Sequence, residues 1–233
     1  MSKTEEKEQL ILSDEKVFAE GLCFTKLFWV FFVGCIIGFI AETLYCIFIE
    51  HKFGLRGGLL YGPFNPVYGS GAVLITLVLS AIPKKARTPV GYFLITMVLG
   101  AAFEYTLSVL QEKFFGTVSW QYDDTFWNIG GRTNLAFAAC WGFLGVMWMS
   151  VIYPAFTKQI ERIPIRLGRI LTVIACTFMA FNITMSILAA SRHTSRRAGQ
   201  PPSNVVEEWL DQHYPDEVMD RIYPNAVPVD GQK

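Results

Sequence analysis

Apolar residues fall along this chain in long blocks, several of them about twenty residues wide and nearly empty of Lys, Arg, Asp and Glu. A helix needs about 20 apolar residues to cross roughly 30 Å of hydrocarbon. The pattern therefore predicts an all-α polytopic membrane protein with five transmembrane helices, over about 27–49, 66–82, 90–110, 135–156 and 168–190. The second block is the shortest, and it begins "GPFNPVYGSG". Gly and Pro at membrane depth are tolerated where protein or water shields the backbone.

Polar residues interrupt the blocks at few places. Glu42 lies inside the first, within "GCIIGFIAETLYCIFIEHKFG". A carboxylate at that depth costs roughly 2.5–3.5 kcal/mol on insertion scales. A shift of 62 positions lays "GFIAETLYCIFIEHKFG" (38–54) over "GAAFEYTLSVLQEKFFG" (100–116) without a gap. Gly38 then matches Gly100, Glu42 matches Glu104, Glu50 matches Glu112, Phe53 matches Phe115 and Gly54 matches Gly116. Arg56-x-x-Leu59 and Arg132-x-x-Leu135 follow, then Tyr68-Gly69 and Trp141-Gly142. The chain is thus expected to hold two parallel two-helix repeats, 27–82 and 90–156, related by an axis along the membrane normal. The segment 168–190 stands outside them as an extra helix.

Gly34, Gly38 and Glu42 share one helix face, as do Thr96, Gly100 and Glu104. Small residues at this spacing admit a second helix closely. Both acids are therefore expected in helix–helix seams near a pseudo-twofold axis, with Arg56 and Arg132 as counter-ions. Two readings of the four residues stay open: a structural clamp, or a site for a cation, a proton or a polar substrate.

The remaining composition narrows the picture. The chain of 233 residues is 52% hydrophobic, 15% aromatic and 17% charged, with zero net charge, so nothing attracts it in bulk to nucleic acid. Cys23, Cys35, Cys46, Cys140 and Cys176 have neither metal-ligand nor disulfide-framework spacing and read as packing residues. No metal and no cofactor is expected. Residues 1–26 are charged, which is unlike a cleavable signal peptide, and 9–22 are mildly amphipathic. The loop 111–134 carries Trp120, Tyr122, Asp123, Trp127 and Asn128. These form either an interfacial aromatic belt or a lid over a polar head group or sugar. Asp123-Asp124 without a His partner is a weak acid/base or metal pair.

Lys84, Lys85 and Arg87 in one loop, and Lys158, Arg162, Arg166 and Arg169 in another, place those loops and the N-terminus in the cytoplasm. Five crossings then put the polar tail, 191–233, outside, although Arg192, Arg196 and Arg197 oppose that placement. In the tail, Asn204 and Glu207 read as a capping box and Pro215 as a helix start. Trp209, Leu210, Met219 and Ile222 are expected to share one apolar face.

Three separated stretches, "RGGLLYGPFNPVYGSGAVL", "SWQYDDTFWNIGGRTNLAFAACWGFLG" and "HYPDEVMDRIYPN", together resemble a family of small bacterial membrane proteins, the CmpB-like family catalogued as ABC-transporter type IV. The resemblance covers roughly residues 27–225, with Ala136 where family members usually carry Pro. It implies a membrane subunit of a transporter in the bacterial cytoplasmic membrane. No G-x-x-x-x-G-K-[ST] loop is present, so an ATPase would be a separate subunit. The expected ligand is small and polar or lipid-linked. A membrane-embedded enzyme using Glu42 or Glu104 as a base, and a non-transporting assembly protein, are the alternatives.

Overall fold

A computed structural model describes residues 17–49, 51 and 57–229. Seven helices dominate them: α1 (Phe24–Phe48), α2 (Pro66–Ala81), α3 (Pro89–Phe115), α4 (Leu135–Ile160), α5 (Ile165–Arg197), α6 (Val205–His213) and α7 (Asp216–Ile222). Four of these, α1, α3, α4 and α5, are long and apolar enough to cross a membrane. The fourth predicted span runs past 156 to Ile160, and the fifth extends beyond 168–190 in both directions. At 16 residues, α2 spans only about 24 Å, short of a full hydrocarbon crossing.

Local chemistry sets the helix ends. Asn65 caps α2 by accepting from the Val67 N–H at 3.1 Å, with Pro66 at the first helical position. Thr88 caps α3 by accepting from the Gly91 N–H, and Gly116 closes that helix in the left-handed region. In α4, Trp148–Ile152 forms a π-helical turn, because Pro154 has no N–H to continue the ladder. Trp148 there donates to the Thr76 hydroxyl at 2.8 Å, joining α4 to α2.

α1 packs along α2, and α3 packs along α4, each pair meeting over an extended seam. Close approaches fall at Gly38, where an added Cβ would overlap the Tyr68 ring, and at Gly100, where it would overlap Trp141. An apolar core of Val30, Ala72, Ile75, Leu79, Trp141 and Trp148 lies between the pairs.

Residues 57–64 carry no helix, yet they lie among the helices. The Asn65 N–H donates to the Cys35 carbonyl at 3.0 Å, well inside α1. Fully buried Asn182 on α5 accepts from the Tyr61 N–H at 3.1 Å and donates to its carbonyl at 2.7 Å. Ser186 accepts from the Leu60 N–H. The backbone groups that lack helix partners are thus satisfied by side chains, as apolar surroundings require.

The two ends of the bundle differ. At one, α1 begins, α4 ends, and fully buried Lys26 meets Glu161 at 2.6 Å. The basic loops 83–88 and 161–164 lie there. At the other, the hairpin after α3 and the C-terminal tail pack together. Short strands β1 (Thr117–Val118) and β4 (Val227–Pro228) pair antiparallel, as do β2 (Asn128–Ile129) and β3 (Thr133–Asn134). Asn204 caps α6 and Glu207 accepts from the Ser203 N–H, the expected capping box. Leu210 and Met219 bury against Ala189 of α5. Trp209 departs from the expected apolar face: it is 41% exposed and stacks on His213.

A candidate intramembrane site at two helix N-termini

Glu42 and Glu104 both meet the start of the following helix. Asn65, the cap of α2, donates to Glu42 at 2.6 Å. Glu104, only 7% exposed, accepts from the Thr133 hydroxyl at 2.8 Å and from the Tyr122 hydroxyl at 3.0 Å. Thr133 immediately precedes Asn134, the cap of α4, which accepts from the Phe137 N–H at 2.8 Å. Each carboxylate therefore faces the positive end of a helix dipole as well as neutral donors.

Arg132 does not take the role expected of it. Its guanidinium pairs with Glu112 and donates to Ser108 at 3.0 Å. Glu104, Ser108 and Glu112 are four residues apart on one face of α3, so Arg132, bonded to the latter two, sits one to two turns, roughly 6–12 Å, beyond Glu104. The reason is geometric. The hairpin brings Arg132 to the outer turn of α3, and Thr133, one residue later, points inward. Among the described residues no Lys or Arg lies within ion-pair distance of Glu104. Arg56 and Glu50 lie outside the described residues, as do 9–16 of the amphipathic N-terminal stretch.

Aromatic rings fill the space between the two acids. Tyr68 lies within electrostatic reach of both Glu42 and Glu104, and its ring stacks on Trp141. Tyr122 stacks on Phe137 at 4.7 Å, and Tyr45 meets Phe137 edge-on. Burial first, then the Glu104 carboxylate, push the Tyr122 phenol far above its ordinary range, so Tyr122 remains a donor.

The other hairpin residues divide by role. Trp120 donates from Nε1 to the Arg132 carbonyl at 3.0 Å. Asn128 donates to the Asp123 and Thr125 carbonyls and accepts from the Gly131 N–H, so it holds the turn. Asp123 accepts from the Gln121 amide, while Trp127 is 68% exposed and faces away. No group of three or more potential metal ligands occurs among the described residues, and the five cysteines are free.

Sequence reasoning missed Asn65, Thr133 and Tyr68. The first had a usable signal, since Asn-Pro marks a helix start. Thr133 had none, because only the hairpin path brings it inward; Tyr68 stood out only as the repeat counterpart of Trp141, and the seam is what places it beside the acids.

No curated protein and no solved structure matches the chain. Residues 29–187 match the family model described as "Putative ABC-transporter type IV". That stretch is more than half of the chain and contains both glutamates, the tyrosines between them, all of α3 and α4 and most of α1 and α5, so this multi-pass membrane protein belongs to the family of that description.

Proposed function

We propose that the chain is the membrane component of a transport system in the bacterial cytoplasmic membrane, and that Glu42 and Glu104 form its central binding site. Glu104 carries this reading. It is a carboxylate in an apolar interior, held by the hydroxyls of Thr133 and Tyr122 and a helix N-terminus. Such a group retains capacity for a proton or a cationic ligand, and intramembrane acids are functional by default.

The path runs between two similar halves. Gly38 against Tyr68 is mirrored by Gly100 against Trp141, Phe31 against Gly69 by Phe93 against Gly142, and Gly34 against Ala72 by Thr96 against Gly145. These pairs support two parallel repeats related by a rotation near 180° about the membrane normal. Five crossings, with α2 and the irregular stretch 57–64 together making the second, put the N-terminus and the basic loops in the cytoplasm. In the tail, Arg192 pairs with Asp211 at 2.8 Å, Arg196 with Asp211 and Asp216, and Arg197 with Asp220. The three arginines still count against an outside tail, and the seven Lys/Arg across 83–89 and 157–169 outweigh them. Energy would come from a separate ATPase docking on the cytoplasmic end.

The full chain, purified with the nucleotide-binding protein bound to it and reconstituted in lipid, tests the reading. ATP hydrolysis by that complex is expected to fall or uncouple in Glu104→Gln while the melting temperature stays within a few degrees of wild type. Recovery of no nucleotide-binding protein would contradict an ATPase-driven role. A Glu104→Gln protein that only unfolds, with Glu42→Gln alike, would make the pair a clamp.

A further inference from the structure

A second polar site lies at the outer end of α3. A cavity of about 170 Å³ opens there between α3, the hairpin and the C-terminal strand. Its wall includes Ser108 and Glu112 of α3, Trp120 and Arg132 of the hairpin, and Val229 of the tail. Arg132 and Glu112 are paired to each other, and their side chains stay 24% and 35% exposed. Ser108 and the Tyr105 ring also hold the guanidinium. Trp120 is fixed by its bond to the Arg132 carbonyl. The tail closes one side, because the Val229 N–H donates to the Gly116 carbonyl and β4 pairs with β1.

We propose that this cavity binds a compact zwitterion, with an acidic group on Arg132 and an ammonium on Glu112. The argument is one of charge balance. A simple anion taking Arg132 would strand Glu112, and a simple cation taking Glu112 would strand Arg132. Leaving a partly buried charge unpaired is costly. A ligand carrying both charges replaces the mutual pair with two new ones and strands neither. The cavity, about 170 Å³, has room for the charged end of an amino acid or for a phosphoethanolamine head group. The indole face of Trp120 supplies an apolar wall for the short carbon link between the charges. The proposal does not require the transport reading, since binding is measured directly and the charged pair it uses, Arg132 and Glu112, does not include Glu104.

Calorimetric titration of the purified full chain in detergent decides it. Alanine represents a free zwitterionic solute, and glycerophosphoethanolamine the head group of a lipid. Inorganic phosphate and ethylamine each carry a single charge sign. Saturable binding of either zwitterion, with phosphate and ethylamine at least about tenfold weaker, is the expected result. Alanine binding identifies a free solute as the source. Glycerophosphoethanolamine binding that disappears when the chain sits in phosphatidylethanolamine nanodiscs identifies the lipid. Glu112→Gln and Arg132→Gln should each weaken the zwitterion about tenfold or more. Should either single variant fail to fold, the Glu112→Gln/Arg132→Gln double variant, which strands no charge, should fold and lose binding. Phosphate or ethylamine binding as tightly as the zwitterions, no binding of either zwitterion, or undiminished binding in the double variant would each overturn the proposal.

Discussion

Thr133 is the residue on which the reading of Glu104 turns. It is 2% exposed and its hydroxyl donates directly to the carboxylate. Valine has nearly the same shape but no donor. Thr133→Val is expected to lower stability by about 1–3 kcal/mol, the cost of leaving a buried acceptor one partner short. Thr106→Val serves as the reference, because exposed Thr106 bonds only its own helix backbone. Thermal denaturation in detergent should separate the two, and equal melting temperatures would remove Thr133 from the account. Residue-scale features were unevenly legible in the sequence. Small residues four apart, Gly34 and Gly38 before Glu42 and Thr96 and Gly100 before Glu104, located the inward faces of both acids, because helix periodicity is a local property. The partner of Arg132 was not legible: the guanidinium and the hydroxyl at 133 are neighbours in sequence, but the hairpin sends them to different turns of α3.

Element by element, the long helices followed from hydrophobic length alone. The stretch 57–64 and the tail did not, because both depend on distant side chains. Asn182 and Ser186 sit more than a hundred residues from the backbone they satisfy. The tail is a fold of its own against α5, built from an arginine-rich helix end and four acids on α6, α7 and their approaches. Hydrogen bonds from Arg192, then Arg196, hold the Asp211 carboxyl down at about 2 from an ordinary 3.8. Because the folded value lies below the unfolded one, this contribution is full above about pH 4 and is lost as pH falls toward about 2. Emission from Trp209, stacked on His213 at 4.1 Å, should report the tail loosening in that window. Asp211→Asn should be loosened already at neutral pH and respond less to acid. A wild-type tail with no transition between pH 5 and 2 would show that the arginine pairs do not hold it.

At the scale of the whole molecule, pairing of β1 with β4 puts the tail and the hairpin at one end, opposite the basic loops. With the proposed five crossings and the N-terminus inside, the tail is expected at the exterior. A single cysteine at Ser203, in a variant with all five native cysteines replaced, should react with an impermeant thiol reagent on intact cells. Reaction only after lysis would reverse the orientation of the bundle. The central claim concerns what lies between the two halves. If Glu42 and Glu104 belong to a binding site, Glu104 must be reachable by a small apolar reagent and able to take up a proton. If they clamp a dry seam, it must be neither. A hydrophobic carbodiimide reacts with protonated carboxyls, and peptide mass spectrometry then locates the adduct. Membranes containing the full chain are expected to carry the adduct on Glu104, with the yield falling as pH rises and no adduct in the corresponding peptide of Glu104→Gln. An unmodified Glu104, in membranes whose exposed acids have reacted, would contradict the account.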